Sequence, residues 1–333
     1  MSALVLWATP DATALLDGTA IEAPVVGEPA AAGPDAPRLP AGLAGRAAGS
    51  LVDGRGVTAY LLLAFGLAWI PELLALVGGA SFAAPRGTTL GLLAAVMFAP
   101  GVAAFLVRRF VTREGFADAG LRVGPRRAYL AALLGVPLLA ALVYGVSVVL
   151  GLGTVDPTLS RVTAALPGAG AGGAGGPPAP VLGALLLVQS LTVGVLVTTV
   201  ATFGEEFGWT GYLLPRLLPL GRWRAALLYG IAWGLWHAPV IVGGHNYPGH
   251  PVAGVLAMCG FTTALALLQT AARLRTGSVL LTSVVHAAVN AQGHGLWPAL
   301  VTDVPPLLGG LTGLVGVVAF GATGAVLLAR TRR

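Results

Sequence analysis

The sequence predicts an all-α, polytopic membrane protein of about eight transmembrane helices, with the N-terminus and the C-terminus both in the cytoplasm. The first observation is composition: 56% of the 333 residues are hydrophobic, 10% are charged, and the mean hydropathy is +0.84. Soluble domains carry about 25% charged residues. The second observation is a series of apolar runs of membrane-crossing length, and the third is the placement of the arginines between them.

Each apolar run is long enough to cross a hydrocarbon core of ~30 Å, which takes about 20 helical residues. The eight runs lie at roughly 57–78, 88–110, 128–151, 181–204, 224–244, 252–272, 277–296 and 306–329. All nineteen basic residues are Arg, and eight spans with cytoplasmic termini leave only Arg86 and Arg161 outside. This distribution follows the rule that cytoplasmic loops carry the excess of positive charge.

Two segments are predicted to lie outside the membrane domain, which is expected at 56–333. Residues 1–55 are rich in Ala, Pro and Gly and bury too little apolar surface to offset their ordering entropy, so they predict a disordered tail. A Gly-rich, flexible external linker is expected at about 153–180. The net charge of +6 comes from arginines scattered between apolar runs, which indicates no nucleic-acid partner.

Polar side chains that could perform chemistry fall in three of the predicted spans. Glu205 and Glu206 end the fourth apolar run, and His237 lies near the middle of the fifth. His286 and Asn290 are four residues apart in the seventh, so they share one helical face. Ionisable groups at membrane depth are costly and usually face a cavity or the bundle interior. Taken singly, the clusters are also consistent with a polar helix end, a packing histidine and a hydrogen bond between helices.

The combination of side chains has two chemical interpretations. A carboxylate in a partly dry cavity can act as a general base on water, and imidazole and carboxamide groups can stabilise the oxyanion formed when that water attacks an amide. Alternatively, Glu205, His237 and His286 could hold a metal ion such as Zn2+, because His nitrogens and carboxylate oxygens are ordinary zinc ligands. The sequence contains no His-Glu-x-x-His signature, so spacing alone favours the metal less.

The motifs resemble those of one family of intramembrane enzymes. Glu-Glu-x-x-x-x-Gly-Tyr-Leu-Leu-Pro from Glu205, Trp-His-Ala-Pro around His237 and His-x-x-x-Asn from His286 occur in that order on separate spans. This set resembles the CAAX protease and bacteriocin-processing family of type II CAAX prenyl endopeptidases over roughly residues 180–295. The resemblance implies that Glu205 activates water and Glu206 supports it. It also implies that His237, His286 and Asn290 position the water or stabilise the oxyanion, with or without a metal.

Two positions depart from the pattern of that family. Thr210 stands where the family has an arginine four residues after the second glutamate, and Trp233 stands where a phenylalanine is common. The change of aromatic residue is mild. The missing arginine matters more, because a guanidinium beside two carboxylates would hold one of them ionised and oriented. Arg216 is interpreted as an interfacial residue rather than a replacement for it.

The expected function is hydrolysis of a peptide bond in a membrane-associated peptide or protein, with the lipid bilayer as the second partner. The expected location is a bacterial cytoplasmic membrane, crossed several times. Two alternatives remain open: a non-catalytic membrane scaffold of the same fold, which Thr210 favours, and an ion-coupled transporter that uses the same ionisable groups. His245 and Asn246 are expected in an external loop far from Glu205, and His294 at the external end of its helix.

Overall fold

The structure, a computed structural model, describes residues 52–166 and 176–331, which are mostly helical. The first part contains α1 (Gly54–Val77), α2 (Thr88–Val96), α3 (Ala99–Leu106), a first π turn (Val107–Val111), α4 (Arg126–Val149), β1 (Thr154–Val155) and α5 (Ser160–Thr163). The second part contains α6 (Ala179–Leu191), α7 (Val193–Gly208), a second π turn (Trp209–Leu213), α8 (Leu214–Leu217), a 3-10 turn (Leu218–Leu220), α9 (Arg222–Trp236), α10 (Ala238–Val242), α11 (Pro251–Thr276), α12 (Val279–Gly293), α13 (Leu296–Leu300), β2 (Val301–Thr302) and α14 (Leu314–Ala329).

Helices occupy all eight of the predicted ranges, and the protein is an integral, multi-pass membrane protein. Within the described residues, five helical segments are long and apolar enough to cross a membrane: Gly54–Val77, Thr88–Val111, Arg126–Val149, Ala179–Leu220 and Pro251–Thr276. A shorter apolar helix, Leu314–Ala329, follows. The predicted fifth and seventh spans correspond to α9 and α12, each of 15 residues. The count of eight spans and the cytoplasmic termini therefore stay predictions.

Two segments, residues 1–55 and about 153–180, were predicted to be flexible. Residues 1–51 of the first and 167–175 of the second lie outside the described residues. The edges of both segments are ordered. Asp53 caps α1 by accepting a hydrogen bond from the Gly56 amide (2.9 Å). Within the predicted linker, β1 pairs antiparallel with β2, and the Asp156 carboxylate accepts hydrogen bonds from Thr158 and Ser160. Those hydrogen bonds hold the pKa of Asp156 well below its ordinary value, and they order the start of α5 although the segment is polar.

The interior of the bundle is arranged around α7. This helix packs against α12 on one side and α3 on the other, while α9 packs against α11. The approach of α3 to α7 requires glycine: a Cβ on Gly204 would lie 2.8 Å from the Met97 carbonyl oxygen, and one on Gly208 would lie 2.5 Å from the Cβ of Pro100. The C-terminal turn of α7, which carries the Glu-Glu pair, is therefore enclosed by protein.

Candidate active site

The two carboxylates at the end of α7 face different surroundings, because adjacent residues of a helix point about 100° apart. Glu205 is 2% exposed, and its Oε2 accepts a hydrogen bond from the indole N–H of Trp233 on α9 (2.8 Å). Glu206 is fully buried, and its Oε1 accepts from Nε2 of Gln269 on α11 (2.8 Å) and contacts Nδ1 of His286 on α12 (3.1 Å). Glu206 thus ties α7 to two neighbouring helices.

The contact with Glu206 sets the orientation of the His286 ring. An ionised carboxylate only accepts hydrogen bonds, so Nδ1 of His286 donates and Nε2 is left for other partners. The edge of the ring also packs against Trp233, with ring centroids 5.0 Å apart in a T-shaped arrangement. This geometry matches the carboxylate–histidine pairs that orient imidazoles in functional sites.

His237 lies at the junction of α9 and α10 and is oriented by its own helix. Its Nδ1 is 2.8 Å from the carbonyl oxygen of Trp233, and since a carbonyl only accepts, Nδ1 donates. The ring packs at right angles to Trp236, whose indole N–H donates to the Ala64 carbonyl of α1 (3.1 Å). The Nε2 atom of His237 is therefore held in place and free of this backbone contact.

A cavity of about 630 Å3 brings the predicted residues together. Glu205, His237, His286 and Asn290 line its wall, while the Glu206 side chain lies behind it. The three sequence clusters, which are far apart along the chain, thus meet at one cavity inside the helical bundle. The arrangement supplies a carboxylate, two imidazoles and a carboxamide around a space that can accept a small segment of a ligand.

Comparisons with known proteins bear on the same part of the chain. Residues 187–292 match the family model described as Rce1-like, type II CAAX prenyl endopeptidase Rce1-like. The resemblance predicted from the motifs is confirmed. A curated relative, CAAX prenyl protease 2 of Methanococcus maripaludis, is 42% identical over 53 residues, which are 16% of this chain and 19% of the relative. The match thus spans less than a fifth of the relative's length. All five predicted site residues lie within the Rce1-like segment.

Three further polar residues line the cavity of the candidate active site. His294 directly follows the last residue of α12, the helix end at which it was expected. His245 and Asn246, which were expected in a loop far from Glu205, line the same cavity as Glu205, as does His294. The reason lies in α9, which ends at Trp236 instead of running to residue 244, so that the loop after α10 folds over the cavity. Burial and the nearby His294 lower the pKa of His245 to about 4, so this end of the cavity carries a neutral imidazole at neutral pH.

The predicted metal ligands do not fit a metal site. Among the described residues, no group of three or more His, Cys, Asp or Glu side chains is arranged to hold a metal ion. The Zn2+ interpretation of Glu205, His237 and His286 therefore finds no support in their arrangement.

Gln269 is a site residue that sequence reasoning missed. It is fully buried in α11 and donates to Glu206. Thr210, which replaces the arginine of the family pattern, is also fully buried, and its hydroxyl lies 2.8 Å from that of Thr282. The sequence signal that could have revealed Gln269 is an amide in an apolar run, four residues before Arg273 and on the same helical face.

Three buried arginines contact consecutive carbonyl groups of the second π turn, directly after the carboxylate pair. Arg273 donates to the Thr210 carbonyl (3.2 Å), Arg108 to that of Gly211 (3.0 Å) and Arg216 to that of Tyr212 (2.8 Å). Arg216 is 2% exposed, so protein encloses its side chain, and its interpretation as an interfacial residue stays a prediction. The three guanidinium groups thus donate hydrogen bonds to buried backbone acceptors of this turn.

Proposed function

We propose that this protein is an intramembrane endopeptidase that hydrolyses a peptide bond of a membrane-associated protein or peptide with water activated by Glu205. The observation that carries the proposal is the cavity, which Glu205, His237, His286 and Asn290 all line, and all four lie within the Rce1-like segment. A carboxylate that is nearly excluded from solvent is a suitable general base, because it is poorly hydrated and held in place.

The chemistry assigned to each residue follows from its hydrogen bonds. Trp233 holds one oxygen of the Glu205 carboxylate, and the other accepts a proton from water as that water attacks the carbonyl carbon. His237, whose Nδ1 donates to a carbonyl, offers the lone pair of Nε2 to the same water. The proton held by Glu205 then passes to the departing amine nitrogen as the C–N bond breaks.

The oxyanion formed in the first step requires donors on the opposite side of the carbonyl. Asn290 contributes its carboxamide N–H groups from the cavity wall. His286 contributes Nε2–H in the imidazolium form, which the Glu206 carboxylate stabilises from the other side of the ring. Donors aimed at developing negative charge are usually the largest single contribution to this kind of catalysis.

The substrate class follows from where the cavity lies. Membrane helices enclose it, so a peptide tethered to the bilayer near its C-terminus is the proposed substrate. The name of the curated relative, CAAX prenyl protease 2, makes a C-terminal peptide with a lipid anchor the first substrate to test. A bacterial cytoplasmic membrane is proposed as the location on composition: the chain has no Lys and 49 glycines, as is common in GC-rich bacteria.

The test uses the purified full-length protein in lipid nanodiscs with a fluorogenic, membrane-anchored C-terminal peptide. Glu205→Gln is expected to lower kcat by at least about a hundredfold, the usual contribution of a general base. Asp303→Asn, an exposed carboxylate on the loop after β2, is the matched control and keeps its activity. Cleavage that survives Glu205→Gln contradicts the proposal. Absent cleavage by the unmodified protein favours the scaffold. A solute flux in proteoliposomes that is lost in Glu205→Gln, without peptide cleavage, favours the transporter.

A further inference from the structure

A second cavity, of about 840 Å3, forms a groove between α4, α11, α12 and α14. Its floor and walls are mainly small and aliphatic side chains, among them Ala132, Gly135, Leu139, Leu268 and Val285. No described residue lines both this groove and the cavity of the candidate active site. The volume is within the ~300–1,000 Å3 of typical ligand pockets, so the groove is large enough for a bound molecule of its own.

The charges in the groove are concentrated at one end. Arg127 lies in the first turn of α4 and Arg275 in the last turn of α11, and both side chains line the groove and are exposed. No Asp or Glu lines the groove, and neither arginine forms an ion pair with an acidic side chain within residues 52–166 and 176–331. Two guanidinium groups thus share one end of an otherwise apolar slot.

The groove is longer than the hydrocarbon half of one bilayer leaflet is thick. From Arg127 to Leu142 along α4, both of which line it, the helical rise is about 22 Å. Half of a ~30 Å hydrocarbon core is about 15 Å. A lipid whose phosphate lies at the two arginines can therefore place a full acyl chain of one leaflet along the groove.

We propose that this groove binds an anionic phospholipid, with its phosphate on Arg127 and Arg275 and one acyl chain along α4. Basic pockets between membrane helices are typical sites for anionic headgroups, and the planar guanidinium matches the geometry of a phosphate. A zwitterionic lipid would place a cationic group beside the same two arginines. No carboxylate lines the groove to offset that repulsion, so the groove favours an anionic lipid.

The test measures bound lipid by native mass spectrometry of the full-length protein, with phosphatidylglycerol and phosphatidylcholine as probes. The unmodified protein is expected to retain phosphatidylglycerol in preference to phosphatidylcholine. Arg127→Gln with Arg275→Gln is expected to weaken phosphatidylglycerol binding by about thirtyfold, equivalent to about 2 kcal/mol for two basic residues near the surface. Arg126→Gln with Arg224→Gln, two exposed arginines outside the groove, is the matched control and leaves binding unchanged.

A second pair of variants tests the acyl-chain part and does not depend on the arginines. Gly135 and Gly145 both face open space on α4, but only Gly135 lines the groove. Gly135→Phe is expected to reduce binding of both lipids, and Gly145→Phe to have no effect. Equal affinity for both lipids, or equal losses in the arginine pair and its control, overturns the proposal. A dimer that dissociates on Gly135→Phe, with no lipid bound, also overturns it and makes the groove a contact between copies.

Discussion

Glu206 is oriented by the carboxamide of Gln269 and the imidazole of His286. Its Oε1 receives the Gln269 carboxamide and faces Nδ1 of His286, in a place from which solvent is excluded. Thr210 stands where the family pattern has an arginine, and its short side chain is fully buried, with its hydroxyl against that of Thr282. Gln269 therefore takes over the orientation of Glu206, and through Glu206 it sets the angle of the His286 ring.

Replacing Gln269 by Leu is expected to slow the proposed peptidase by roughly tenfold to a hundredfold in kcat, with little change in KM. Hydrogen bonds to charged groups contribute about 1.5–3 kcal/mol, and His286 loses its fixed orientation when Glu206 is released. The measurement is kcat and KM of the purified variant, corrected for the folded fraction.

Gln292→Leu is the matched control for Gln269→Leu. Gln292 is an equally buried amide on α12, but it donates to the Ser190 carbonyl and does not contact the site. It is expected to lower the thermal unfolding midpoint and to leave kcat of the folded protein unchanged. Equal losses of kcat in both variants would show that burial of an amide, and not its contact with Glu206, was responsible.

The residues around the cavity differ in how far the sequence could reveal them. Glu205, His237, His286 and Asn290 stood out because polar groups are rare in apolar runs, and each was placed at comparable depth. Gln269 did not, because an amide in an apolar helix also occurs as an ordinary contact between helices. His245 was placed away from the cavity because one helix was predicted to run to residue 244, although Pro239 marks the end of α9 in the sequence.

At the scale of elements, the second π turn links the carboxylate pair to the polar end of the bundle. Arg108 donates to the Gly211 carbonyl and forms a 2.7 Å ion pair with Asp118, and it is fully buried. Wider helical turns are common at functional sites. Here the arginines bind the carbonyls of this turn, which holds the end of α7, and with it Glu205, at a fixed depth.

Replacing Arg108 by Met is expected to destabilise the protein by about 3–5 kcal/mol, because it removes the buried 2.7 Å ion pair with Asp118 and the hydrogen bond to the Gly211 carbonyl. Thermal unfolding in detergent measures the effect. Arg109→Met is the matched control: Arg109 is the next residue, but it is exposed and packs on Phe110. It is expected to change stability by less than about 1 kcal/mol. A similar loss in the two variants would contradict a specific role of the buried guanidinium.

Hydropathy predicted the existence of the elements better than their ends. The first, third and sixth predicted spans agree with α1, α4 and α11 within a few residues. The predicted span 224–244 is divided at His237 into α9 and α10. Average hydropathy does not show such a break, because the run stays apolar and the freed backbone groups find partners inside the protein. His237, a candidate site residue that lines the cavity, lies at this break, so hydropathy does not show the local structure that positions it.

At the scale of the whole molecule, two distant loops are joined at one end of the bundle. Strand β1 follows α4 and pairs with β2, which precedes α14, and Arg161 forms an ion pair with Asp303 across the same loops (3.1 Å). Because both side chains are exposed, this pair contributes little to stability. The pairing nevertheless requires the loops after the third predicted span and before the last one to lie on the same side of the membrane.

Cysteine labelling in intact cells tests this arrangement together with the predicted topology of eight spans. In a Cys259→Ser background, Thr158→Cys and Leu308→Cys, one in each joined loop, are expected to react with a membrane-impermeant thiol reagent added outside. Arg126→Cys and Arg224→Cys, both exposed and predicted to be cytoplasmic, are expected to react only after permeabilisation. Opposite accessibility of Thr158→Cys and Leu308→Cys would contradict the strand pairing as well as the span count. The reversed pattern at all four positions would keep the pairing and invert the predicted orientation, and it would place the arginine end of the lipid groove in the outer leaflet.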